Sequence, residues 1–374
     1  MLRKLHLIVL ILVLTTGCSN AQPIRVGYAG QLTGPHSDLG VDGRDGALLA
    51  VDEINAAGGI NGRPLELLVR DDRGDPEVAR QVSGELLDQD VVAIIGHSTS
   101  TQTEAVFEAI NAAGVVLVSP TASSDQFTGQ DDFFFRVTPA NSFQARMMAR
   151  HVYTSGITRV SVIYDRSNFA FSESFWRNFE QEFTRLGGRV SAAISFTSGI
   201  DNIRVLIQTL VGTTPSAVLL ITSAVDTALL AQALRQLDNH IPLFTSGWAQ
   251  TSELLVKGGA AVEGIEMISV YHQDYTDSTF AAFEERFNAR YRRSISFAAV
   301  FNYEAVLVLV EGLKQTEGER GGLRAALRSN MRLAGLQGEL RLDAYGDVQR
   351  NVYVSVVRDG QFVVIETIPA EGLP

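Results

Sequence analysis

Residues 91–102, Val91-Val92-Ala93-Ile94-Ile95-Gly96-His97-Ser98-Thr99-Ser100-Thr101-Gln102, read as a strand that ends in a glycine turn and opens a helix. The apolar, β-branched first half suits a buried strand. Ser98, Thr99 and Ser100 then offer hydroxyls to the free N–H groups of a helix start. The same unit recurs along the chain. Further strand candidates are Ile24 to Ala29, Leu65 to Arg70 and Val115 to Val118, and then Val160 to Tyr164, Val190 to Phe196, Ala217 to Ile221, Pro242 to Thr245 and Ile265 to Val270. Amphipathic helices lie between them, as in Ala47, Leu48, Val51 and Ile54 before the Gly58-Gly59 stop. Alternation of this kind builds parallel sheets flanked by helices. The two series part near Phe135-Arg136-Val137-Thr138-Pro139, which predicts two doubly wound, Rossmann-like α/β lobes. The helical block Phe280 to Leu313 and the late strands Gly338 to Leu342 and Tyr353 to Val357 fit neither series cleanly, so the chain is expected to cross between lobes more than once.

The 374 residues are 45% apolar and 20% charged, an ordinary globular composition that allows two cores. The N-terminus departs from it. Arg3 and Lys4 precede the apolar run Leu5 to Leu14, which meets small residues and Cys18. That is the form of an export signal, and a run of about ten residues is too short to span a bilayer. Small residues before Cys18 resemble a bacterial lipobox, although Thr15 takes the place usually held by Leu and Leu14 lies one position upstream. The expected layout is a signal peptide over 1–17, lipidation at Cys18 and a short tether over 18–23. Cys18 is the only cysteine, which excludes disulfides, zinc–thiolate sites and cysteine catalysis from the rest of the chain. Loss of Arg3 and Lys4 changes the formal charge from −11 to −13, with 29 basic against 42 acidic residues. So acidic a chain, without a Lys/Arg-dense stretch, argues against nucleic-acid or anionic-membrane binding. Membrane contact is assigned to the lipid on Cys18.

In open parallel sheets, ligands bind beyond the carboxyl ends of the strands. Here those ends share a composition: Gly96-His97-Ser98-Thr99-Ser100, Ser119-Pro120-Thr121-Ala122-Ser123-Ser124, Thr222-Ser223-Ala224 and Thr245-Ser246-Gly247-Trp248. Each single Ser or Thr reads as a helix cap; together they make a cleft of neutral donors and acceptors at helix N-termini, suited to a carboxylate. A serine hydrolase at Ser98 is the rival reading, because the turn lies one residue from the Gly-x-Ser-x-Gly elbow. Ser100 stands where the elbow needs its last glycine, no His-Gly-Gly segment supplies an oxyanion loop, and His151, His240 and His272 lie in no recognisable catalytic loop. His97 is read as a turn residue. The first strand is followed by Gly30-Gln31-Leu32-Thr33-Gly34-Pro35 and not by a dinucleotide fingerprint, so no cofactor is expected. Asp71-Asp72 and Asp131-Asp132 lack a third ligand at useful spacing and read as solvated turns, so no metal is expected either.

Asp42-Gly43-Arg44-Asp45-Gly46-Ala47, the stretch Ala50 to Leu65, Arg70-Asp71-Asp72 and Asp75-Pro76 resemble the branched-chain amino acid (Leu/Ile/Val) binding proteins of ABC importers, which are type I periplasmic binding proteins. The resemblance runs on through Ile95 to Ser98, Val118-Ser119-Pro120, the Asp165 segment and Ala261 to Gly264. It implies two lobes joined by a three-crossover hinge, with lobe one at 24–138 plus 272–338 and lobe two at 139–271 plus 339–374. It also implies a monomer with no enzymatic activity, which closes over a ligand and is met by permease subunits. By the same resemblance the ligand carboxylate is held at Ser98, Thr99 or Ser100 and at Thr121, Ala122 and Ser123, while Phe169 takes a place usually held by Tyr. The acid that usually meets the ligand ammonium falls on Trp248; Asp226, after Ser223, either replaces it or caps its own helix. The expected function is an extracytoplasmic, lipid-anchored solute-binding protein for an amino-acid-like or carboxylated ligand. A sensory module reporting to a membrane receptor is the alternative that the sequence leaves open.

Overall fold

The computed structural model describes residues 22–34, 37–199, 201–237 and 240–370; the signal peptide, Cys18 and most of the tether lie outside the described residues. The chain opens with β1 (Ile24–Gly30), α1 (Ser37–Ala56), β2 (Leu65–Asp71), α2 (Pro76–Asp88), β3 (Ala93–Gly96), α3 (Ser100–Ala113), β4 (Val116–Ser119) and β5 (Phe134–Arg136). These five strands form one sheet in the order β2-β1-β3-β4-β5, parallel throughout. Local signals match the elements. Asp75 Oδ1 accepts from the amides of Glu77 (2.7 Å) and Val78 (3.2 Å) ahead of Pro76, and α3 ends at Gly114 in the left-handed region.

The second series is α4 (Asn141–Thr154), β6 (Arg159–Asp165), α5 (Phe169–Arg185), β7 (Arg189–Phe196), α6 (Ile203–Gly212), β8 (Ala217–Ile221), α7 (Ala224–Gln236), β9 (Leu243–Ser246), α8 (Ser252–Gly258) and β10 (Glu266–Ser269). The chain then returns through α9 (Ser278–Tyr291) and α10 (Phe297–Gln315), which pack on α1, and through α11 (Leu323–Leu327). A three-stranded antiparallel sheet follows, formed by β11 (Arg332–Gly335), β12 (Gly338–Leu342) and β13 (Val348–Gln349). Finally β14 (Val352–Arg358) and β15 (Gln361–Ile368) join the second sheet antiparallel, giving β15-β14-β10-β9-β8-β6-β7. Both sheets carry helices on their faces, as in a doubly wound fold.

Two readings need correction. The Phe135–Pro139 stretch taken as a boundary begins inside β5, an edge strand of the first sheet. Its Arg136 is fully buried and pairs with Asp347 at 2.6 Å, so a charge in the sequence concealed a core position. The late strand Gly338 to Leu342 belongs to the small third sheet.

The chain passes between the large sheets three times, and these passages are tied together. Arg350 Nη1 reaches Glu304 Oε2 (2.7 Å) and the carbonyl of Val137 (3.0 Å). Glu304 Oε1 accepts from the amide of Leu336 (2.8 Å), and the Gln337 side chain pairs with both backbone groups of His272, at 3.0 and 2.7 Å.

Candidate ligand-binding cleft

The cleft is built from strand ends. β3 stops at Gly96, whose φ of 135° is open to glycine alone and whose added Cβ would sit 2.1 Å from the Ala29 carbonyl oxygen. The turn it makes swings His97 inward and Ser98 toward the gap between the sheets. His97 Nδ1 lies 2.6 Å from Asp72 Oδ2 and its Nε2 3.0 Å from Ser83 Oγ, a Ser–His–Asp line in triad order. All three are buried, at 2% exposure or less, and none lines either cavity of the cleft, so the line ties the ends of β2 and β3 to the middle of α2 and presents no nucleophile there. Asp72 is therefore a buried partner of His97 and not the solvated turn residue read from the sequence.

Two adjoining cavities, of about 550 and 700 Å³ of open space, share Leu39, Ser98, Asn168 and Trp248. Ser98 Oγ is buried beside the Tyr28 hydroxyl and makes no hydrogen bond of good geometry among the described residues. Thr99 lines the second cavity and caps α3, its hydroxyl accepting from Gln102 N at 3.4 Å. Ser100 is interior: its Oγ accepts from the amides of Ser123 and Ser124, both at 3.2 Å, and so joins the β3 and β4 turns. Thr121 and Ser123 line the first cavity. Thr121 Oγ1 donates to the Ser98 carbonyl (2.5 Å), and Ser123 Oγ donates to Asn141 Oδ1 (2.8 Å). Ala122 does not reach the cavity; its amide is spent on Ser119 Oγ at 3.0 Å.

The second half of the chain supplies different residues from those expected. Phe169 opens α5 40% exposed and lines neither cavity, whereas Phe171 does line the first. Two residues turn a helix by about 200°, so only one of the pair can face the cleft. Phe171 meets Trp248 edge-on, with centroids 5.6 Å apart and planes at 81°. Trp248 lines both cavities, as the sequence placed it. Ser223 and Asp226 line neither. Ser223 is the N-cap of α7, its Oγ accepting from Asp226 N (3.2 Å) and donating to Asp226 Oδ2 (2.8 Å), while Asp226 Oδ1 accepts from Ser198.

Sequence reasoning missed Gln144, Asn168, Gln250, Tyr271, Phe297 and Phe301 in the first cavity. Asn168 alone carried a signal, in the turn after β6. The Tyr271 hydroxyl and Gln250 Oε1 are buried without a partner among the described residues, and burial pushes the Tyr271 phenol above its ordinary pKa, so it stays protonated as a donor. The walls touch across the cleft: Asn168 Oδ1 accepts from Thr101 N (3.3 Å), and Ala170 N donates to Thr101 Oγ1 (3.1 Å).

A family model described as periplasmic binding protein matches residues 23–361. The leucine-, isoleucine-, valine-, threonine- and alanine-binding protein of Pseudomonas aeruginosa is 24% identical over 334 residues, 88% of either chain. Among solved structures, the leucine-binding protein LivK of Thermotoga maritima superposes at a TM-score of 0.86, with 24% identity over 92% of this chain and 99% of its own. An ABC-transporter solute-binding protein of R. palustris in complex with benzoate gives 0.84, with 22% identity over 92% and 96%. The fold is the type I periplasmic binding protein fold, and the resemblance carried by residues 42–76 holds. These relatives are binding proteins, which leaves no place for a hydrolase at Ser98, and the chain belongs to the periplasmic binding protein family.

Proposed function

We propose that this chain is an extracytoplasmic solute-binding protein, anchored through a lipid on Cys18, that captures a small amino-acid-like or carboxylated ligand for the permease of an ABC importer. Residues 24–138 with 272–338 act as one lobe and 139–271 with 339–374 as the other, closing as a monomer about the tied crossovers. The observation that carries the reading is Ser98, a buried hydroxyl with no hydrogen bond of good geometry among the described residues, standing at the end of β3 beside the N-terminus of α3 in a cavity walled by Trp248. Such a position donates to an anion and loses little in doing so. Thr121, Ser123 and Asn168 surround it, and Phe171 supports the Trp248 wall.

A thermal-shift screen of the purified chain against amino acids, aromatic and branched acids and their amides tests the reading. A ligand at a hundred times its Kd stabilises by about 2.7 kcal/mol, which raises the Tm of a chain this long by roughly 4 °C. Ser98→Ala should remove most of that shift while leaving the ligand-free Tm within about 1 °C, because its polar neighbour, the Tyr28 hydroxyl, already donates to the Gly40 carbonyl and keeps that bond. A screen in which no acid, amino acid or amide moves Tm would sink the proposal. The anchor has its own test: Cys18→Ala should move the protein from the detergent phase to the aqueous phase, since no helix among the described residues is long and apolar enough to cross a membrane.

A further inference from the structure

The first cavity has no Asp, Glu, Lys or Arg in its lining, and Arg73 is the charged side chain that lines the second. Among the described residues Arg73 makes no ion pair. The polar groups of the first cavity are all neutral. The Ser98 and Tyr271 hydroxyls make no hydrogen bond of good geometry among the described residues, while those of Thr121 and Ser123 already donate to the Ser98 carbonyl and to Asn141. The amide oxygens of Gln144 and Gln250 are the side-chain pure acceptors in the lining that take no hydrogen bond among the described residues. The acids nearby line neither cavity: Asp226 accepts from Ser223 and from Ser198, Asp42 is paired with Arg293 at 2.8 Å, and Glu284 and Asp274, whose charges reach Tyr271 together with that of Asp42, stand outside the lining.

An ammonium group carries three donors and a charge, and in a closed cleft it needs a carboxylate or several acceptors. This cavity offers two neutral amide oxygens, on Gln144 and Gln250, and the faces of aromatic rings, but no carboxylate. A carboxylate, in contrast, meets donors on one side and a free guanidinium beyond them. A cation–π contact with Trp248 recovers only part of what an ammonium loses on leaving water.

We propose that the cleft selects small organic acids that carry no amino group, with the carboxylate toward Ser98 and a flat or branched apolar body among Phe171, Trp248, Phe297 and Phe301. The proposal rests on the reading of the chain as a solute-binding protein and narrows its ligand. Calorimetric titration of the purified chain with three matched pairs tests it: leucine and 4-methylpentanoate, phenylalanine and 3-phenylpropanoate, phenylglycine and phenylacetate. The amine-free member should bind at least about tenfold more tightly in the pair that binds best. An amino acid that binds as well as its amine-free partner overturns the inference and leaves the wider function standing. Silence across all three pairs also overturns it, and the wider function is then decided by the thermal screen. Trp248→Glu supplies the missing carboxylate and should reverse the preference within a pair. An unchanged preference in a variant with wild-type circular dichroism overturns the inference as well.

Discussion

Replacing Arg350 with Met is expected to lower the unfolding free energy by about 3–5 kcal/mol, because the change strands a carboxylate in the core. Glu304 is fully buried, and its Oε2 meets Arg350 Nη1 at 2.7 Å. The guanidinium also donates to the Val137 carbonyl and lies 4.6 Å above the Phe301 ring. Removing it leaves a charge with no solvent, one carbonyl with no donor, and a ring with no cation over it. The double variant Glu304→Gln/Arg350→Met should recover roughly 1–3 kcal/mol of the loss, since an amide costs far less to bury than a carboxylate. Gln keeps an oxygen for the Leu336 amide, which Glu304 Oε1 now holds at 2.8 Å. Urea unfolding of the wild type, both single variants and the double variant gives the coupling directly. If Arg350→Met costs less than about 1 kcal/mol, or the double variant is no more stable than it, the pair is not the clasp described here. The same residues join Val137 of the first passage between the sheets to Leu336 and Arg350 of the third, so affinity for ligand should fall with stability in the single variant.

This clasp was invisible in the sequence for a reason that applies to much of the site. Strand ends were readable because β-branched runs meet Gly, Ser and Thr at fixed places, and β1 to β4 and β6 to β10 fall within two residues of their expected bounds. The short strand β5 was not, since Phe134-Phe135-Arg136 shows no alternation and its arginine is buried by a partner more than 200 residues away, Asp347. Of the cleft residues, Ser98, Thr99, Thr121, Ser123 and Trp248 follow strands directly and were found. Phe297 and Phe301 were not, because α10 is apolar on nearly every face and no periodicity marks the side that meets a ligand. Phe169 was named from the family resemblance, as the place usually held by Tyr, whereas Phe171, two residues further round α5, lines the cavity. Ser223 and Asp226 had the right composition for a site but spend it on each other.

Gly46→Val is expected to cost about 3 kcal/mol through overpacking, and to weaken ligand binding as well. Gly40, Gly43 and Gly46 recur at intervals of three on one face of α1, an unusual run in a helix interior given the penalty each glycine carries. The contacts explain it. A Cβ on Gly46 would lie 2.1 Å from the Ala299 carbonyl oxygen of α10, and one on Gly40 would lie 1.9 Å from that of Gln31. Both obstacles are backbone, so no rotamer change can relieve them, and α1 would have to lift off α10. Gly43 meets the Asn302 side chain instead, which can move, so Gly43→Ala should be the milder change. Gly84→Ala provides the opposite sign: it sits inside α2 with no atom within 4 Å of an added Cβ, and should gain about 0.5–1 kcal/mol. Equal and small effects at Gly46 and Gly84 in thermal unfolding would contradict the close approach of α1 and α10. The binding consequence follows from what the two helices carry. Leu39 on α1 and Phe297 and Phe301 on α10 all line the first cavity. A helix pair forced apart at Gly46 shifts Leu39 against the aromatic wall, so a ligand held at Ser98 should lose apolar contact even where the variant still folds.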